Sequence, residues 1–93
     1  MRFIYPAIIH PNGDGTYTAT MVDLADCTAT GFSIDDCLEE INAAALSWIT
    51  LELEEDGSLP PISDHEDIRP LLRENDFIRN ISIMYRSYDG WDE

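Results

Sequence analysis

The feature that most constrains the fold of this chain is a single long amphipathic helix predicted over residues 33–57. Its apolar side chains recur at the spacing of one helix face. The side chains that we expect to face a sheet are Ile34, Leu38, Ile41, Ala45 and Trp48. Ser33 is a good N-cap, Asp36 completes a weaker form of the capping box, and Gly57 is a natural stop. With one helix of this length, strands must bury most of the other apolar residues.

Four other segments have the two-residue alternation that is typical of strands. We place these strands at residues 2–10, 16–22, 28–30 and 77–86. The first two flank residues 11–15, where Asn and Gly tolerate a positive φ, and therefore form a hairpin. Pro6 lacks a backbone donor, which fits an edge position or a bend. The predicted order is β-β-β-α-β, an α+β fold with a small antiparallel sheet packed on one long helix.

Some apolar residues exceed what one sheet face and one helix face can bury. They are Leu46, Ile49 and Leu53 on the helix, and Ile4 and Ile8 on the second face of the first strand. The spare segment, residues 58–74, is a Pro-rich crossover with short helical turns opened by a Ser63-x-x-Glu66 capping box. Full burial of each such side chain contributes roughly 1.5–3 kcal/mol. We therefore expect a homodimer or higher symmetric oligomer, built through strand edges or this helix face.

The charge of the chain is strongly negative and unevenly placed. The net charge is −14, and there is no lysine. Residues 1–68 hold fourteen acids against Arg2, a net of −13, whereas residues 69–93 hold five acids against four arginines. An acidic surface of this kind repels nucleic-acid phosphates and steers a basic partner, although solubility or a salt-rich cell explains the same surplus. We expect no sequence-specific DNA binding, and residues 69–86 are the candidate surface if DNA is bound at all.

Composition and spacing also disfavour several other classes of protein. No apolar run approaches the roughly 20 residues that span a bilayer, and the N-terminus has no basic region followed by an apolar stretch. Cys27 and Cys37 have no CxxC spacing, which favours reduced thiols in a cytoplasm. We therefore predict one cytoplasmic domain over residues 1–93.

The sequence offers weak candidates for catalysis or metal binding. Residues 64–67 are a dense run of possible ligands, but consecutive side chains at a helix start point in different directions. Asp23 and Glu39 are conceivable nuclease carboxylates, yet the strands carry no acid before Asp23. Cys27 has no nearby histidine to act as a base. We expect no enzymatic activity, no metal site and no cofactor.

An ordered set of short motifs runs through residues 3–63. Its members are Tyr5-Pro6, Asp14-Gly15-Thr16-Tyr17, Asp23-Leu24, Cys27, Gly31, Ser33, Leu38-Glu39-Glu40, Ala45, Gly57 and Pro60-Pro61. This order resembles the HicB antitoxin family, specifically its small N-terminal domain, although Val22, Ala25-Asp26 and Cys37 depart from the family pattern. The resemblance implies a degenerate RNase H-like fold. Many family members carry a C-terminal DNA-binding module, and we predict none in residues 1–93.

The resemblance also implies a function and a partner. The expected partner is a small basic toxin of HicA type that cleaves mRNA, which the antitoxin neutralises by occluding the toxin's active site. The alternative is an orphan HicB-like binding or regulatory domain without a toxin. Carboxylates that could face a basic partner are Asp14, Asp23, Asp26, Asp35, Asp36, Glu39 and Glu40. A further binding candidate is the aromatic tail of Tyr85, Tyr88 and Trp91.

Overall fold

A computed structural model, which describes residues 2–55 and 57–85, contains one four-stranded sheet and one long helix. The elements are β1 (Arg2–Pro11), β2 (Tyr17–Met21), β3 (Thr28–Gly31), α1 (Ile34–Glu54), α2 (His65–Ile68), a 3₁₀ turn (Arg69–Leu71) and β4 (Phe77–Met84). The strand order is β3-β2-β1-β4, and each neighbouring pair is antiparallel. The predicted α+β fold with a small antiparallel sheet on one long helix is confirmed. Arg86, at the end of the predicted fourth strand, lies outside the described residues.

The β1–β2 hairpin follows directly from local sequence. Gly13 and Gly15 have φ of +90° and +95°, which an L side chain rarely adopts. Ala7 pairs with Met21, and both side chains are buried on the face of the sheet that contacts α1. The threonines of β2 point to the opposite face, as the alternation predicts. We call these the inner and outer faces.

Pro6 lies on a central strand, so of the two predicted alternatives the edge position is wrong. β1 pairs with β2 on one side and with β4 on the other. The carbonyl of Pro6 accepts a hydrogen bond from Val22 N at 3.4 Å, so its polar groups face the β2 side of the strand. The β1–β2 ladder ends at the pair of Ala7 with Met21, one residue short of Pro6. The missing donor therefore lies where β2 leaves the sheet, and no regular ladder bond is lost.

The helix packs on the inner face with a different rotation from the predicted one. Its fully buried residues are Cys37, Ile41, Ala45 and Ile49. Leu46 and Leu53 are partly buried against the same core, so the supposed second stripe is one flank of a single broad stripe. Gly31 makes this close packing possible, because a Cβ there would collide with the backbone of Cys37. Within residues 2–55 and 57–85, no helix combines the length and apolar character needed to cross a bilayer.

The outer face of β1 is covered by the segment between α1 and β4. Ile68 is 1% exposed and does not belong to the core between sheet and helix. On this outer face His65 Nε2 lies 2.9 Å from Asn80 Oδ1, whereas the hydroxyl of Tyr5, an inner-face residue, holds the start of the crossover by donating to the Pro60 carbonyl at 2.6 Å. On this outer face Pro6 is buried and Ile8 is partly buried, whereas Ile4 remains 44% exposed. The burial of Ile49 and the partial burial of Leu46 and Leu53 remove the surplus helix face, one of the two routes through which self-association was predicted.

Candidate partner-binding surface

The seven candidate carboxylates lie at two opposite ends of the sheet. Tyr17 pairs with Gly31, so the β1–β2 turn and the start of α1 are at the same end. Thr28 pairs with Thr20, so the loop between β2 and β3 is at the other end. Asp14, Asp35, Asp36, Glu39 and Glu40 occupy the first end, whereas Asp23 and Asp26 occupy the second. The residues predicted as one acidic set therefore form two separate groups.

Asp14 is held in the hairpin turn by its own neighbours. Thr16 donates from Oγ1 at 2.6 Å and from its backbone N at 3.0 Å to the same carboxylate oxygen, Asp14 Oδ1. The side-chain and then the backbone hydrogen bond from Thr16 lower the pKa of Asp14. The residue is fully exposed, so its charge is fixed in position and open to a partner.

The start of α1 has a capping arrangement that fixes one acidic residue, Asp36. Asp36 N donates to Ser33 Oγ at 3.0 Å, as predicted. The Asp36 carboxylate accepts from Phe32 N at 2.9 Å, one residue before the cap rather than at it. Asp35, Glu39 and Glu40 are exposed, and within the described residues their side chains make no hydrogen bond or ion pair.

Phe32 is a surface residue that the sequence did not indicate. An apolar residue just before an N-cap commonly packs against the fourth helical residue, here Cys37. Cys37 is fully buried, yet Phe32 is 83% exposed, so this contact is not made. The result is a large aromatic side chain in water beside the exposed carboxylates of the helix start. We call Asp14, Phe32, Asp35, Glu39 and Glu40 the helix-start surface.

Asp23 has a structural role at the other end. Its carboxylate accepts hydrogen bonds from Ser63 N at 2.9 Å and from Ser63 Oγ. Ser63 therefore does not cap α2, whose N-cap is Asp64 without a side-chain bond, and the predicted second capping box is wrong. Burial and then the Asp23 charge raise the pKa of Tyr5, whose hydroxyl is bonded to the same crossover. Asp26 is exposed, with φ of 59°.

A polar cavity of about 400 Å³ opens on the outer face between β1, β2 and the segment before β4. His10 Nδ1 lies 2.5 Å from Asp76 Oδ1, and Asp76 Oδ2 accepts from Arg73 N at 3.0 Å. Burial of Asp76 opposes its ionisation, but the hydrogen bonds from Arg73 and His10 outweigh it and lower the pKa. These bonds attach the covering segment to β1.

A more apolar groove of about 670 Å³ lies between the C-terminal half of α1 and the end of β4. Leu51 and Met84, which are 60% and 49% exposed, line it together with Leu46 and Tyr85. Tyr85 of the predicted aromatic tail is half-buried here. Tyr88 and Trp91 lie outside the described residues.

The residues considered for metal binding or catalysis do not converge within the described part of the chain. No group of three or more His, Cys, Asp or Glu side chains there could hold a metal ion. Asp23 and Glu39, the conceivable nuclease pair, belong to opposite ends of the sheet. Burial raises the pKa of the Cys27 and Cys37 thiols, which keeps both protonated and poorly nucleophilic.

The fold and these motifs match a known family. The model of the HicB-like antitoxin of bacterial toxin–antitoxin systems matches residues 5–86, which extends the resemblance through β4. Searches of curated proteins gave no significant match.

Solved structures of related proteins share this architecture. The N-terminal domain of the Burkholderia pseudomallei antitoxin HicB is 17% identical, with a TM-score of 0.77 over 88% of this chain and 99% of that domain. A chain of the HicA3 and HicB3 toxin–antitoxin complex is 20% identical, with a TM-score of 0.65 over 91% of this chain and 100% of its own length. A chain of a toxin–antitoxin complex from Streptococcus pneumoniae is 26% identical, with a TM-score of 0.66 over 100% of this chain and 76% of that one.

Proposed function

The chain belongs to the HicB-like antitoxin family of bacterial toxin–antitoxin systems, and we propose that it binds and neutralises a small basic HicA-type toxin by occluding the active site with which that toxin cleaves mRNA. Two of the similar solved chains come from toxin–antitoxin complexes. The net charge of −14 attracts a basic protein electrostatically and favours rapid association. In this proposal the chain acts in the cytoplasm by binding, with no chemistry of its own.

The observation that carries the proposal is the exposure of Phe32 among carboxylates. Aromatic side chains dominate binding energy when they enter a pocket on a partner, and a polar rim usually surrounds them. Phe32 is 83% exposed, and the backbone that presents it is fixed by the hydrogen bond from Phe32 N to Asp36. In the proposed complex Phe32 is the apolar anchor, and Asp14, Asp35 and Glu39 face basic side chains of the toxin.

The other acidic end contributes less to this proposed contact. Asp23 already accepts two hydrogen bonds from Ser63, so its carboxylate is largely committed within the chain. Asp26 is exposed and adds a charge that steers the partner without anchoring it. Asp36 acts indirectly, because its carboxylate holds the Phe32 backbone.

The test is co-expression with the small basic protein encoded by the neighbouring reading frame. We expect this chain to restore growth and to block mRNA cleavage. Phe32→Ala should weaken toxin binding by about 30-fold, the equivalent of a 2 kcal/mol hot spot, with little change in thermal stability. A neighbour that stays toxic in the presence of this chain, or the absence of any such neighbour, would favour the orphan binding domain instead.

A matched pair of charge variants locates the contact. Glu39→Gln and Glu55→Gln remove the same charge at opposite ends of α1. We expect Glu39→Gln to slow association more than Glu55→Gln at low salt, and the difference to shrink as salt screens the charges. Equal effects of the two substitutions would refute a contact centred on the helix start.

We also propose that the chain self-associates, as a homodimer or higher symmetric oligomer. The predicted helix face is engaged in the core through Ile49. Of the two contacts predicted for self-association, the helix face and a strand edge, the strand edge therefore remains.

A further inference from the structure

β4 is an eight-residue strand at the edge of the sheet, with β1 on one side and no strand on the other in the described residues. The direction of its backbone groups follows from two contacts. Asn42 Nδ2 of the helix donates to Ser82 O at 2.7 Å, so this carbonyl points away from β1. Asn80 pairs with Pro6, whose polar groups face β2, so Asn80 also directs its N–H and C=O outward. The outward set is Ile78, Asn80, Ser82 and Met84.

Of the devices that usually prevent strands from pairing, this edge carries a single inner-face charge, Arg79. Natural edge strands are commonly short, or carry proline or several charges. β4 has no proline and no acid, and its one charged residue is Arg79, whose guanidinium carbon lies 5.5 Å from the Phe77 ring centre. The other edge strand, β3, has only four residues.

The absence of carboxylates on β4 indicates what kind of partner fits it. The chain carries nineteen acids, yet none lies between Phe77 and Met84. A basic toxin is drawn to the acidic ends and gains no charge contact at this edge. A second copy of this acidic chain, in contrast, can approach here without opposing carboxylates.

We propose that β4 pairs with β4 of a second copy in an antiparallel, two-fold-symmetric seam centred on Asn80. This inference rests on the proposed self-association and names its surface. In this register Asn80 of one copy exchanges two backbone hydrogen bonds with Asn80 of the other, and Ile78 does so with Ser82. The Ser82 carbonyl can keep its bond from Asn42, because a carbonyl oxygen has two acceptor sites.

The side chains favour this register over the one centred on Arg79. Centring the seam on Arg79 would set two guanidinium groups directly opposite each other, which is destabilising. Centring it on Asn80 sets Arg79 opposite Ile81 on the inner face. On the outer face two Asn80 amides meet, and each still has donors free after the contact with His65. The seam joins two four-stranded sheets into one continuous sheet.

Hydrogen exchange gives a residue-specific test. The amides of Phe77, Arg79, Ile81 and Ile83 point towards β1 and are protected in a monomer. The amides of Ile78, Asn80 and Ser82 point outward, so their exchange should slow as protein concentration rises. This alternation is the expected result, and light scattering should give about 21 kDa, twice the chain mass of 10.5 kDa, at tens of micromolar. A monomer mass, or concentration-dependent protection without alternation, overturns the seam.

Substitutions at one position supply the matched control. Asn80→Pro removes an outward N–H and leaves the β1–β4 ladder complete, so the variant should fold and be monomeric. Asn80→Ala removes the same side chain and its His65 contact but keeps the N–H, so it should remain dimeric. Ser82→Pro repeats the test if Asn80→Pro fails to fold. A dimer that persists in a folded proline variant overturns the proposal.

Toxin binding is measured on the same samples, so that failure of the β4 seam can be distinguished from failure of the proposed toxin binding. The helix-start surface is intact in Asn80→Pro, and a monomeric variant that still binds toxin supports the seam. A dimeric wild type that binds no toxin contradicts the proposed function and supports the seam.

Discussion

Replacing Ile49 tests how α1 is rotated on the sheet and whether its face belongs to one chain or to two. Ile49 is fully buried as part of the core between helix and sheet. Truncation of such a side chain to Ala leaves a cavity and costs about 2–5 kcal/mol. Ordinary stability for 93 residues is about 5–14 kcal/mol, so Ile49→Ala should remain folded but be clearly weakened.

Urea unfolding followed by circular dichroism measures this loss. With a slope of about 1–3 kcal/mol/M, a loss of 3 kcal/mol lowers the midpoint by about 1–3 M. Ile49→Val should cost only about 0.5–1.5 kcal/mol, and Leu51→Ala, at a 60% exposed site, about 0.5 kcal/mol or less. The shift caused by Ile49→Ala should not depend on protein concentration, because the cavity lies within one chain. A cost below about 1 kcal/mol, or a cost that grows with dilution, would show that Ile49 is not part of this core.

Two further predictions concern charge. Glu55→Lys should stabilise the fold by about 0.3–1 kcal/mol, because the last turn of α1 has no basic residue to offset the helix dipole, and thermal unfolding at low salt with a high-salt control measures this gain. Because the pKa of Asp76 is lowered from 3.8, its stabilisation is complete above that value and is lost as pH falls through the lower folded pKa. Asp76→Asn should therefore show a shallower loss of stability between pH 5 and acid denaturation than the wild type, and identical slopes would contradict a stabilised carboxylate.

The parts of the fold that were predicted correctly depend on local rules. The hairpin requires positive φ in its turn, and Gly13 and Gly15 provide it. The start of α1 requires a side-chain acceptor for its free amides, and Ser33 supplies one. Each rule involves residues a few positions apart, so the sequence alone contains the information.

The errors arose where the packing partner is distant in sequence. The apolar arc of α1 is broad enough that several rotations bury a similar area, and the close approach of β3 at Gly31 selects the one centred on Cys37. Pro6 is compatible with a central strand only because β2 ends beside it, which the sequence near Pro6 does not reveal. The cover provided by Ile68 likewise depends on a crossover that returns to the outer face.

The same distinction separates the carboxylates that hold the fold together from those that can face a partner. The Asp14 and Asp36 side chains accept bonds from residues within four positions, a relation that turn and cap chemistry could have anticipated. Asp23 binds Ser63 across forty positions, and no local rule indicates that pair. Glu39, with no such bond in the described residues, keeps its full hydration until a partner displaces it. Substitution of Asp14 or Asp36 should therefore alter stability and binding together, and substitution of Asp23 should alter mainly stability. Substitution at Glu39 should alter binding alone, and only the structure assigns each acid to its class.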